Sequence, residues 1–62
     1  MMGGRLLTVE QVAERLSVSR RTVFRLIGEE EIRIVHIGRL TRIAESDLND
    51  YIEKLRRESG SN

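Results

Sequence analysis

Two short predicted helices, each with an apolar stripe and separated by only three residues, constrain the fold of this chain more than any other feature. The first stripe has the i, i+3, i+4, i+7 spacing of one helix face and comprises Val9, Val12, Ala13 and Leu16. Thr8 is suited to begin this helix, and Gln11, three residues later, completes a capping box. The pattern predicts a first helix that ends near Leu16 and Ser17.

The second helix should start directly after the break formed by residues 17–19. Ser19 is a favourable N-cap, which predicts a helix from Arg20 to about Ile27, with Gly28 placed to end it in the left-handed conformation. The apolar positions predicted to face the core are Val23, Phe24, Leu26 and Ile27. Phe24 is therefore expected in the core and not as an exposed base-stacking ring. The outer face would then carry Arg20, Arg21, Thr22 and Arg25.

The next segment, from Ile32 to Ile43, predicts a β-hairpin interrupted at Gly38. A three-residue turn over residues 38–40 would pair Val35 with Ile43, and both would face inward together with Ile37. A two-residue turn would pair Val35 with Arg42 and bury a charge on the same face, so the three-residue turn is predicted.

A third helix should begin after the hairpin, capped by Ser46. Its apolar stripe comprises Leu48, Tyr51, Ile52 and Leu55. The predicted fold class is mainly α with a small β-hairpin, in the order helix-turn-helix, two-stranded wing, C-terminal helix. This winged helix-turn-helix domain should span residues 6–56, with flexible segments at 1–5 and 57–62.

The distribution of charge is more informative than the net charge of +1 for the 62 residues. The segments 15–28 and 32–44 contain seven arginines and no acid, and ten of the eleven basic residues in the chain are arginine. Arginine forms bidentate contacts with phosphate and guanine. Although salt-bridged, solvated surfaces are common, this segregation favours a face that binds a polyanion.

Several function classes are not expected. The chain has no cysteine and a single histidine, His36, so we expect no metal site and no cofactor. Tyr51 lies on an apolar stripe, which favours a core or half-buried residue over a nucleophile, and the protein is not expected to be an enzyme. No apolar run approaches the roughly 20 residues that span a bilayer, so we expect a cytoplasmic protein and no membrane partner.

A helix-turn-helix places the start of its second helix in the major groove of double-stranded DNA, where unpaired backbone N–H groups also favour phosphate. The side chains expected to contact DNA from this helix are Ser19, Arg20, Arg21, Thr22 and Arg25. The wing would contact the adjacent backbone or minor groove. Its expected DNA-contacting side chains are His36, Arg39, Thr41 and Arg42.

The run LLTVEQVAERLSVSRRTV, residues 6–23, resembles the opening of the excisionase-type, MerR-like winged helix family, which has a leucine pair, TVEEVA, a short gap and VSRRTVYR. Residues 37–39, 42–43, 46–48 and 51–52 resemble the family's wing and third helix. The chain departs from the pattern where Arg33 and Ala44 replace prolines and Thr41 replaces an aromatic residue. The glycine usual in the connector would also fall two places after Gly28.

The resemblance implies a recombination directionality factor. Such proteins bind several sites near a prophage attachment site, bend the DNA, and help a separate tyrosine-type integrase to excise rather than integrate. A single small module makes few DNA contacts, so we expect neighbouring copies to bind tandem sites cooperatively. The expected location is the nucleoid of a bacterial host cell.

Two other functions remain open from the sequence. A small transcriptional repressor or regulator could have the same fold. A protein–protein adaptor could instead use the acidic face of the third helix, formed by Asp47, Asp50 and Glu53. Steep loss of duplex binding with rising salt would separate a DNA-binding protein from an adaptor.

Overall fold

The computed structural model describes residues 5–60, which form three helices and a small antiparallel sheet. The elements in chain order are β1 (Leu6–Leu7), α1 (Val9–Leu16), α2 (Arg20–Gly28), β2 (Val35–Ile37), β3 (Leu40–Ala44) and α3 (Glu45–Ser59). The predicted fold class, mainly α with a β-hairpin wing after a helix-turn-helix, is confirmed. The segments 1–4 and 61–62, which belong to the predicted flexible ends, lie outside the described residues.

The first two helices begin where their capping residues predict. The Thr8 hydroxyl accepts a hydrogen bond from the Gln11 backbone N–H at 3.0 Å, and the Gln11 side-chain carbonyl accepts one from the Thr8 N–H at 2.9 Å. The Ser19 hydroxyl accepts from the Thr22 N–H at 3.1 Å. These bonds satisfy backbone donors that have no partner inside the helix, and only residues 17–19 separate α1 from α2.

Both helices end at a residue in the left-handed conformation, and neither residue is glycine. Ser17 has φ 58° after α1, and Glu30 has φ 61° after α2. After α2, the Glu31 N–H donates to the Leu26 carbonyl and the Glu30 N–H to the Ile27 carbonyl, the paired bonds of a Schellman motif. Gly28 is the last residue of the helix itself, so the prediction that it supplies the left-handed position is wrong.

The wing has a different register from the predicted one. Val35 pairs with Arg42 and Ile37 with Leu40, around a two-residue turn of Gly38 and Arg39. Gly38 has φ 60° at the first turn position, as in the II′ hairpin turns that suit the strand twist. The three-residue turn that pairs Val35 with Ile43 is therefore wrong.

The physical reason for this register is that the face carrying Val35 and Ile37 points outward. Val35, Ile37 and Leu40 are 36%, 48% and 51% exposed, whereas Ile43 is fully buried and Ile34 packs against the core. Pairing Val35 with Arg42 therefore buries no charge in the core. The Arg42 guanidinium is only partly buried and donates to the Thr41 carbonyl at 2.9 Å.

A strand that the sequence does not predict adds a third member to the sheet. Leu6 and Leu7 pair antiparallel with Ala44 and Ile43, giving the strand order β1-β3-β2. Leu7 is 3% exposed and belongs to the core, and Leu6 is exposed. The short strand therefore ties the start of the domain to the wing.

The third helix begins one residue earlier than its predicted cap. Ala44 precedes it with no side-chain capping bond, and Ser46 lies inside the first turn, so the assignment of Ser46 as the cap is wrong. Leu48 is buried and Tyr51 and Ile52 are half-buried, but Leu55 is 40% exposed. The apolar stripe thus ends at Ile52. The helix continues to Ser59, three residues beyond the predicted domain boundary at residue 56.

The core lies where the helices meet the middle strand. Its four most completely buried side chains come one each from α1, α2, β3 and α3: Val12, Val23, Ile43 and Leu48. Because α1 contacts α2, β1 and β3, this short helix connects the second helix to the sheet and fixes its position. No helix within residues 5–60 has the length and apolar character needed to cross a bilayer.

Candidate functional site

The second helix presents one continuous exposed stripe. Val23 and Leu26 bury the opposite side of α2 in the core. The positions left exposed are Arg20, Arg21, Phe24, Arg25 and Gly28. Phe24 is 49% exposed, so the prediction that it lies in the core is wrong. The apolar residues 23, 24, 26 and 27 occupy a wider arc of the helix than α1 and the core can cover. Phe24 lies at the edge of this arc that stays uncovered.

Arg21 and Arg25 are the cationic groups of this stripe that have no acidic partner. Among residues 5–60, no carboxylate lies within salt-bridge distance of either guanidinium. The two residues are four apart, so their side chains lie on the same face in successive turns. Both guanidinium groups are therefore available to an external anion without breaking an internal ion pair.

Arg20 is held by its neighbours. Its Nε atom lies 3.1 Å from the Glu10 Oε2 atom of α1, and its guanidinium carbon lies 5.9 Å from the centre of the Phe24 ring. Exposed ion pairs contribute about 0–1 kcal/mol to stability, so this pair orients Arg20 more than it stabilises the fold. Of the three predicted arginines of α2, Arg20 is thus the one that must exchange a partner to bind DNA.

Ser19 and Thr22 are committed to the start of α2. Their hydroxyl oxygens lie 3.1 Å apart in a hydrogen bond, in addition to the bond from the Thr22 N–H to Ser19. Thr22 is half-buried, whereas Ser19 is exposed. Both residues therefore shape the end of the helix that presents its backbone N–H groups to solvent.

The wing places its four predicted side chains on its two strands and at the turn between them. His36 pairs directly with Thr41, and Arg42 pairs with Val35. Arg39 is exposed at the turn between the strands. Since directly paired residues share a face of the sheet, His36 and Thr41 lie on one face and Arg42 on the other. Arg39 lies at the tip of the wing.

Other basic residues join elements of the fold to one another. Arg15 forms an ion pair of 2.9 Å with Glu45 at the start of α3, and Lys54 forms one of 3.2 Å with Glu31 of the connector. The hydrogen bond to Glu31, and then the nearby negative charges, raise the pKa of Lys54. Arg33 lies in a groove beside Asp47 and Asp50 of α3. On the acidic face of α3 itself, Glu53 forms an ion pair of 3.7 Å with Arg56.

Comparison with known proteins identifies related chains. The model of a family described as "Helix-turn-helix domain" matches residues 6–56. A "Probable excisionase" of Saccharopolyspora erythraea is 42% identical over 50 residues, which cover 81% of this chain and 51% of that protein. Two proteins called "Putative DNA-binding protein", from two strains of Mycobacterium tuberculosis, are each 40% identical over 48 residues, covering 77% of this chain and 62% of theirs.

The chain therefore spans between half and two thirds of the length of these relatives. No solved structure matches it.

Proposed function

The chain belongs to the excisionase-like helix-turn-helix family, and on this premise we propose that it binds double-stranded DNA through α2 and the wing. The observation that carries the proposal is the exposed stripe of α2, where Arg21 and Arg25 have no acidic partner among residues 5–60. Arginine at this position of a recognition helix can form a bidentate contact with guanine O6 and N7 or bind phosphate.

The N-terminus of α2 supports the same orientation toward DNA. Ser19 satisfies the Thr22 N–H, which leaves other first-turn donors and the positive end of the helix dipole for phosphate. There is no acid in the first turn of α2. Arg20 would then leave Glu10 for DNA, or remain paired and shield the edge of the interface.

The biological role we propose is that of an excisionase, which directs a tyrosine-type integrase toward excision of a prophage or mobile element at the bacterial nucleoid. The support is the likeness to the "Probable excisionase". A module of this size buries roughly 600–1,000 Å² on DNA, so neighbouring copies on tandem sites would be needed for tight binding. The chain would act by shaping DNA and recruiting the recombinase, not by catalysis.

The DNA-binding proposal is tested by alanine substitution on duplex DNA. A footprint on the DNA flanking the protein's own gene defines the site, and fluorescence anisotropy then gives affinities for that site and for random duplex. We expect Arg21→Ala or Arg25→Ala to weaken binding to the site by about 1–3 kcal/mol, and binding to random duplex by less, if that arginine contacts a base.

Arg57→Ala is the matched control, because it removes one exposed arginine from the end of α3, away from α2. It should change affinity little. Equal losses at site and random DNA for both α2 variants would mean that they contact only phosphate. If Arg57→Ala had the same effect as the α2 variants, α2 would not be the recognition helix.

A further inference from the structure

Phe24 is an aromatic side chain that the core of the domain leaves half exposed. Burial of a large aromatic side chain is favourable, yet this ring stays in contact with water beside the arginines of α2. At 3.6 residues per turn, Phe24 lies about 40° around the helix axis from Arg20 and about 60° from Arg21. The ring is thus within the cationic stripe and not at its margin.

The surroundings of the ring leave one side open. Arg20 is positioned over the ring but is drawn toward α1 by Glu10. The next position of the stripe is Gly28, where even an added Cβ would meet nothing within 4 Å. A flat apolar surface is therefore open to a ligand that approaches the middle of α2.

Thr22 does not offer a comparable apolar contact. It is half-buried, and its hydroxyl is hydrogen-bonded to Ser19. By the helix periodicity it lies about 160° around the axis from Phe24, away from the centre of the stripe. Within α2, the apolar side chain exposed among the arginines is that of Phe24.

We propose that Phe24 is a specificity-determining residue that packs its ring against the C5-methyl group of a thymine in the major groove. This inference rests on the proposed function. Among the bases, thymine alone presents a methyl group in the major groove, and phenylalanine is one of the side chains that contacts it. Stacking on single-stranded DNA is less suited to this surface, because such proteins expose several aromatic rings. The other aromatic residue of the chain, Tyr51, lies half-buried on α3.

The test removes the methyl group and the ring separately and together. Each thymine of the footprinted site is replaced in turn by deoxyuridine, which lacks only the C5-methyl group, and binding is measured for the wild type and for Phe24→Ala. At one position we expect the wild type to bind about fourfold more weakly, the value for one buried methyl-sized group at about 0.8 kcal/mol. Phe24→Ala should bind both duplexes equally and more weakly than the wild type.

Phe24→Leu keeps apolar bulk and guards against a folding defect in the alanine variant, and it should retain part of the deoxyuridine effect. Leu55→Ala, which removes a side chain of similar exposure on α3, should leave the wild-type effect unchanged.

Deoxyuridine effects that are absent, or equal in the wild type and Phe24→Ala, would overturn the inference while Arg21- and Arg25-dependent duplex binding still supports the proposed function. A Phe24-dependent preference for single-stranded DNA would also overturn it. Failure of the wild type to bind duplex DNA would instead defeat the proposed function itself.

Discussion

Two residues at the ends of helices adopt a conformation that is unfavourable for their type. Ser17 and Glu30 have φ 58° and 61°, where a side chain approaches the following carbonyl at a cost of roughly 1–2 kcal/mol. Each is accompanied by hydrogen bonds back into the preceding helix, which keep the chain in this conformation. Position 30 is also where the connector of the excisionase pattern usually has glycine.

We expect Glu30→Gly to raise the free energy of unfolding by roughly 0.5–1 kcal/mol, since glycine has no Cβ and its greater freedom in the unfolded chain offsets only part of the gain. In a domain of this size the midpoint of thermal unfolding should rise by several degrees. Circular dichroism against temperature measures it.

Glu29→Gly is the matched control, because it removes the same charge at the adjacent residue, where φ is −87° and glycine relieves no strain. It should not stabilise the protein. If both variants raised the midpoint equally, relief of charge repulsion in the acidic run 29–31 would be the cause, and not backbone conformation.

At the scale of elements, the wing carries the second expected set of DNA contacts. Arg39 is exposed at the two-residue turn, and Arg42 lies beside it on β3, half-buried and bonded to the Thr41 carbonyl. Neither guanidinium has an acidic partner among residues 5–60. Arg39 is therefore the more accessible of the two arginines for a backbone or minor-groove contact.

Alanine at both Arg39 and Arg42 should flatten the dependence of log K on log salt concentration by about 0.9 for each phosphate that the double variant no longer neutralises. The comparison is the salt slope of the wild type on the same duplex. A slope that did not change in the double variant would mean that the wing points away from DNA, and the two arginines would then have no part in binding.

The sequence predicts elements whose signals are local. Capping by Thr8, Gln11 and Ser19 is decided within four residues, so the starts of α1 and α2 are predicted correctly. Strand β1 is missed because two residues, Leu6 and Leu7, are too few to show a period, and their pairing partner lies far along the chain. Such pairing depends on tertiary structure and not on propensity.

The predictions of the wing register and of a buried Phe24 are wrong for a related reason. Both predictions assume that apolar residues face inward, and in a chain this small the core cannot cover them all. Val35, Ile37 and Phe24 are left at the surface. For the candidate site, the arginines of α2 are found from the charge pattern, whereas the exposure of Phe24 follows only from the packing of α2. The signal available in the sequence was that α2 has more apolar residues than one buried helix face can hold.

At the scale of the whole molecule, α1, α2, β3 and α3 share one core. The residues at the centre of this core hold α2 in place. Leu48 and Val23 are fully buried beside Val12 and Ile43. A core of this size supports a single recognition helix and one wing, which limits the contacts that one copy can make with DNA. Smooth bending of a site of 20–30 base pairs costs about 1–6 kcal/mol, which several neighbouring copies can offset more readily than one.

The measurement that tests the central claim most directly is gel mobility of DNA fragments with the footprinted site permuted along their length, titrated across protein concentration. If the protein is an excisionase-like DNA-shaping module, it should be monomeric in solution and occupy tandem sites cooperatively. Mobility should then be lowest when the site is central, because the DNA is bent. A stable dimer in free solution, bound to a single palindrome on straight DNA, would contradict this account and favour a repressor.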